Sequence, residues 1–243
     1  MKECLIILAY YDRPNMVRQA LHSVANQIED NWHLAFIDDA SKTPGEPIVR
    51  EILGDKVSKC TFYRINDSEE LKKKQGSRHP EFMNKAVLEA GNTDTENPVI
   101  ILCDDDALLP DYTKKLSEYY ESQPTVMYSY CHVIPYNPFT EKYTDLTPRP
   151  FGYNYSHPLW PFSTVDSSQV TYRRAAFIRD GVRYPSPAYR CLDAALYDRL
   201  RPYGLCPFNG ILGQAKGWNY GDQLGARNHG NELQPRDLPT PLL

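Results

Sequence analysis

The chain opens with short apolar runs separated by stretches whose apolar residues recur every three or four positions. Residues 5–10 carry no charge and read as a strand, whereas in residues 14–27 Met16, Ala20, Leu21 and Val24 share one helical face. The alternation continues with a strand over 32–37, a helix over 46–53, a strand over 61–65 and a helix over 78–90. A fourth strand spans 99–103, a helix 110–121 and a fifth strand 125–133. Strands joined by crossover helices imply a parallel sheet with right-handed connections, a Rossmann-like α/β sandwich. No glycine-rich fingerprint follows the first strand, which argues against a dinucleotide dehydrogenase.

Further along, the pattern changes. Residues 136–162 are rich in Pro, Tyr, Asn and Thr with little periodicity, and read as a functional insertion or lid, or equally as a surface loop packed by its own aromatics. Order returns with a strand over 169–172 and helices over 174–180 and 192–200. Residues 213–230 hold several glycines and read as a loop; the last nine residues hold three prolines and read as an extended tail. No repeat, low-complexity tract or linker divides the chain, so one domain over 1–243 is expected.

The fourth strand ends in three consecutive carboxylates, Asp104, Asp105 and Asp106. A short β-branched run with nothing polar in it reads as a buried parallel strand, and its carboxyl end is where open α/β sheets take their ligands. Three adjacent negative charges repel unless a cation or a set of donors compensates them. A divalent metal carrying a phosphorylated substrate would do so, and hard oxygen ligands suit Mg2+ or Mn2+. The alternative is a solvated acidic turn capping the next helix, where carboxylates favour the N-terminal dipole.

Composition narrows the classes. The net charge of −4 gives no general attraction to nucleic acid or to an anionic membrane. Six cysteines contain no CxxC pair and several lie in apolar runs, where they are expected as free core thiols. No apolar stretch approaches the roughly 20 residues that cross a bilayer, and the N-terminus lacks a signal-peptide layout. A soluble, cytoplasmic protein is the expectation.

Taken in order, these pieces carry a resemblance. Ala9-Tyr10-Tyr11-Asp12-Arg13-Pro14 follows the first strand, Ser23-Val24-Ala25-Asn26-Gln27 ends the first helix, and Asp38-Asp39-Ala40-Ser41 follows the second strand. Arg78, Asn84-Lys85-Ala86 and Asp104-Asp105-Asp106 before Pro110-Asp111 come next, and matching stretches continue at 165–173 and 186–193. The set resembles family 2 glycosyltransferases, which have the GT-A fold: a mostly parallel central sheet with a smaller, mixed acceptor-side region. The resemblance implies a nucleotide-sugar-binding half over 1–122, an acceptor-side half over 123–232 and a tail over 233–243.

It also implies roles. Ala9 would offer backbone groups, Tyr11 would stack on a uracil-like base, and Asp39 and Arg78 would hydrogen-bond that base. Asp104 would receive ribose hydroxyls while Asp105 or Asp106 binds the metal bridging the diphosphate. Asp193 would be the catalytic base that deprotonates the acceptor hydroxyl, giving inversion; family members commonly have Glu-Asp where this chain has Leu192-Asp193. Arg227 would bind phosphate oxygens, His229 would complete the metal sphere, and Asp166 and Trp218 would line the donor or acceptor pocket. The implied activity is a metal-dependent transfer from a nucleoside-diphosphate sugar, most simply a uridine one, to a hydroxyl on a saccharide or surface-polymer precursor. A modified base in DNA is a further acceptor, for which Lys72-Lys73-Lys74, Arg78 and the Tyr-rich segment would supply the contacts, against the net acidic charge. A nucleotidyltransferase or a non-catalytic sugar-nucleotide-binding module are the other classes, the former disfavoured by the missing phosphate loop.

Overall fold

Alternate residues of the first strands point into two different cores. Leu5 and Ile7, Ala35 and Ile37, Val99 and Ile101 face one side; Ile6 and Leu8, Leu34 and Phe36, Ile100 and Leu102 face the other. Strands buried on both faces need helices on both faces, which is why the apolar runs are continuous rather than alternating. The protein, seen in a computed structural model, is described over residues 1–67, 78–137, 142–143, 167–185, 192–204 and 206–216.

The strands are β1 (Cys4–Tyr10), β2 (Trp32–Asp38), β3 (Cys60–Arg64), β4 (Pro98–Cys103), β5 (Asp106–Leu108), β6 (Tyr128–Asn137), β7 (Lys142–Tyr143), β8 (Val170–Arg173) and β9 (Phe208–Lys216). The helices are α1 (Pro14–Ala25), α2 (Glu46–Leu53), α3 (His79–Glu89), α4 (Tyr112–Ser122), α5 (Ala175–Ile178) and α6 (Leu192–Leu200). One sheet runs in the order β3-β2-β1-β4-β8-β6-β9-β5, with β7 added to β6. The first four of these strands are parallel, as the crossover helices require, and β8 joins β4 antiparallel to begin the mixed half. Val17, Leu21 and Val24 of α1, Ile48 and Val49 of α2, and Tyr112 and Leu116 of α4 cover the even face. Met83, Ala86 and Val87 of α3, with Leu196 and Tyr197 of α6, cover the odd face. Pro14 at the first position of α1 presets its backbone angle and forfeits no helical hydrogen bond.

Two adjacent arginines tie the halves together. Arg173 donates to the carbonyls of Tyr120, Gln123 and Val126 around the end of α4, and to Glu96. Arg174 donates to the carbonyls of Val87, Ala90 and Asn92 at the end of α3. Each guanidinium meets the negative end of a helix dipole and its unpaired carbonyls, one on each face of the sheet.

The mixed half departs from the sequence expectation. β5 and β9 were not anticipated, and β9 includes residues 213–216, which had read as loop. Gly213 explains part of this: a Cβ there would come within 2.6 Å of the Tyr112 ring, so the close approach of β9 to α4 requires glycine and weakens the strand pattern. β6 begins at Tyr128 and continues to Asn137, where it pairs with β7, so the segment after residue 135 starts as a hairpin. α5 is a single turn, shorter than the expected 174–180. The extended tail lies outside the described residues.

Candidate functional site

β1, β2 and β4 stop level with one another: Ala9 is in register with Ile37 on one side and Cys103 on the other. The loops leaving them are braced by side chains. Asp38 accepts from the amides of Ser41 (2.8 Å) and Gly45 (3.0 Å) and from Arg64 (2.6 Å), so it builds the turn after β2. Asp12 accepts from the amides of Lys42 (2.6 Å) and Thr43 (3.2 Å), and the Tyr10 hydroxyl donates to the Thr43 carbonyl. The two loops are thereby locked together with Asp12 and Ala40 in left-handed backbone, at φ 46° and 59°. Such strained conformations persist where the surroundings over-determine them, and they cluster at functional sites. Tyr11 and Asp39 stand half-buried on this brace, and the Asp39 amide donates to the Tyr10 carbonyl.

The acidic turn is fixed from below. Ser23 of α1 accepts from the Leu108 amide (3.0 Å), and the Gln27 side chain bridges the Leu109 carbonyl (2.8 Å) and the Thr113 amide (3.0 Å). These contacts hold β5 and the start of α4 directly after the turn. Asp104, Asp105 and Asp106 are 2%, 3% and 1% exposed, which removes the reading of a solvated acidic cap. The N-cap of α4 is Asp111 instead.

Burying three carboxylates demands compensation. Arg13, from the loop after β1, supplies part of it. Its Nε donates to Asp104 Oδ2 (3.0 Å), its Nη2 pairs with Asp104 Oδ1, and its Nη1 lies 3.6 Å from Asp105. On the other side, ligand atoms of Cys103, Asp105 and Asp106 all fall within 4.8 Å of one another. Atoms sharing one ion at about 2 Å lie at most about 4 Å apart, so small side-chain rotations would let the three hold one divalent cation. Two carboxylate oxygens suit Mg2+ or Mn2+, and the sulfur adds a softer donor. Cys103 is therefore half-exposed at the site rather than a core thiol, unlike the buried Cys4, Cys131 and Cys206.

Beside this cluster a cavity of about 280 Å³ opens on the odd face of the sheet. Ala9, Arg13, His79, Cys103, Asp104 and Asp105 line it together with apolar residues further in, including Leu196 and Tyr197 of α6. Asp193 is the second residue of that helix. Arg78 stands apart from the cavity lining, exposed and paired with Glu81 (2.9 Å) and Asp67 (3.5 Å). The adjacent residue His79 reaches the cavity instead. Sequence reasoning gave no site role to Arg13, His79 or Cys103, although Cys103 is the last residue of β4 and Arg13 lies three residues past β1. Asp166, Trp218, Arg227, His229 and the lysine run 72–74 lie outside the described residues.

A parallel half-sheet with braced loops, buried strand-end carboxylates and a mixed second half defines the GT-A class of nucleotide-sugar-binding fold. The family model for glycosyl transferase family 2 matches residues 5–181, and the chain belongs to that family. Among solved structures, S. aureus TarS residues 1–349 in complex with UDP-GlcNAc matches with a TM-score of 0.69 at 12% identity, over 92% of this chain and 61% of that one. The mannosyltransferase PcManGT from Pyrobaculum calidifontis, in complex with GDP-Man and Mn2+, matches with a TM-score of 0.61 at 14% identity, over 93% of this chain and 59% of that one. The chain thus spans about three-fifths of the length of these relatives, and at such identities the likeness establishes the fold. Comparison with curated proteins gives no match. Among the described residues, no helix is long and apolar enough to cross a membrane.

Proposed function

We propose that this chain transfers a sugar from a nucleoside diphosphate, most simply UDP, to an acceptor hydroxyl with inversion at the anomeric carbon. The observation that carries the proposal is the group of half-exposed Cys103 with buried Asp105 and Asp106, which lies beside a cavity shared with α6. Tyr11 and Asp39 would receive the base, Arg78 turning inward from its surface pairs to join them, and Asp104 the ribose. Asp105 and Asp106 would hold Mn2+ or Mg2+, with Cys103 as an additional ligand. The ion would neutralise the diphosphate as it leaves. The relatives crystallised with UDP-GlcNAc and with GDP-Man and Mn2+ support this donor class.

Asp193 would act as general base. It takes the proton of the acceptor hydroxyl as that oxygen bonds to the anomeric carbon, and the bond to the diphosphate oxygen breaks with its electron pair. Attack from the face opposite the leaving group inverts the configuration. Its position in the first turn of α6, about one turn before Leu196 and Tyr197 in the cavity wall, supports the assignment. As the resemblance implies, Arg227 would bind phosphate oxygens, His229 would add to the metal sphere, and Asp166 and Trp218 would contact donor or acceptor. The test is incubation with Mn2+ and a panel of UDP- and GDP-sugars. Slow release of the free sugar from at least one donor, abolished by EDTA, is expected. Absence of both binding and hydrolysis across the panel would overturn the proposal.

A further inference from the structure

The guanidinium of Arg13 occupies both oxygens of Asp104 and lies 3.6 Å from Asp105. Its side chain is 13% exposed, and it forms part of the cavity wall. This arrangement conflicts with two requirements of a loaded site. Asp104 gives one lone pair of each oxygen to the guanidinium, which halves what it can offer to ribose hydroxyls. A divalent cation on Asp105 and Asp106 would also sit within a few ångströms of a fixed positive charge, in a partly buried setting where such repulsion is weakly screened.

We infer that Arg13 is an exchangeable counter-ion: it neutralises Asp104 and Asp105 in the empty site, and transfers to the donor's diphosphate oxygens when metal and nucleotide enter together. The diphosphate resolves both conflicts. Its negative charge lies between the two cations, and its oxygens match the planar fork of a guanidinium better than a single ammonium would. Asp104 is then released to the ribose. Arg13 is anchored for the exchange by Pro14 and the start of α1 behind it, so only the side chain needs to rotate. A consequence is ordered assembly, in which the metal binds poorly alone and well with a nucleoside diphosphate. The inference rests on the donor reading above.

The experiment is calorimetric titration of wild type, Arg13→Gln and Arg13→Lys with Mn2+ alone, with UDP and GDP at saturating Mn2+, and with uridine and guanosine. For Arg13→Gln the expected result is Mn2+ bound at least tenfold more tightly in the absence of nucleotide. The diphosphate preferred by wild type is bound at least tenfold more weakly, and the matching nucleoside about equally. Arg13→Lys, which keeps the charge without the fork, should retain the wild-type metal affinity and recover only part of the diphosphate affinity. The opposite signs for metal and diphosphate are the signature, since general damage to the site would weaken every ligand. Unchanged or weaker Mn2+ binding by Arg13→Gln, or undiminished diphosphate binding, would overturn the inference. Failure of wild type to bind either diphosphate would instead overturn the donor reading on which it depends.

Discussion

Each of the three strand-end carboxylates has a different neighbour, and their chemistry separates accordingly. Asp104 faces Arg13, Asp106 begins β5 as part of the metal-compatible group, and Asp105 touches both environments. Sequence alone placed all three at a sheet edge but could not divide them, because side-chain direction at a turn depends on φ and ψ. Asp38 and Asp39 repeat the lesson: the first spends both oxygens on the turn, while the second is carried past it on the left-handed Ala40 turn. Asp193 tests the residue scale most cleanly. Asp193→Asn should fold, bind nucleoside diphosphate with Mn2+ as wild type does, and lose transfer by about 100-fold or more, the loss expected when a general base is removed. Steady-state kinetics together with calorimetry would check this, and unchanged turnover would remove the assignment.

At the scale of elements, the parallel half was legible because each strand and helix announces itself locally. Continuous apolar runs in β1, β2 and β4 and the periodic face of α1 need no distant partner to be recognised. β9 is different: its sequence, Phe-Asn-Gly-Ile-Leu-Gly-Gln-Ala-Lys, alternates poorly, and it becomes a strand by pairing with β6 and β5 far away in the chain. The same non-local logic hides the roles of Arg173 and Arg174, which look like surface charges until the helix ends they cap are in place. Arg174→Met is expected to cost about 2–4 kcal/mol, because it strips donors from three carbonyls around the end of α3. The exposed Arg179, paired with its neighbour Asp180, which also accepts from the Tyr203 hydroxyl, should by contrast leave stability nearly unchanged on conversion to Ala. Urea unfolding of the two variants measures the difference, and a near-silent Arg174→Met would contradict the capping account.

For the molecule as a whole, one sheet joins two kinds of construction. The β3-β2-β1-β4 portion provides the edge that carries the acidic turn, and β8 turns the sheet antiparallel so that the second half can rise beside that edge. The cavity lies at this junction, walled by strands from both portions and by α3 and α6. Family and fold were readable from ordered motifs because the parallel half carries them with short, fixed spacings. The mixed half offered less, only the stretches at 165–173 and 186–193, since its geometry is set by long-range pairing rather than by local pattern. The account turns on a divalent cation held at the end of β4. Its most direct measurement is the anomalous scattering of Mn2+ in crystals grown with Mn2+ and UDP. The account predicts a peak within about 2.2 Å of carboxylate oxygens of Asp105 or Asp106, with diphosphate density against it. Diphosphate density at this edge with no such peak, or manganese bound only elsewhere, would contradict it.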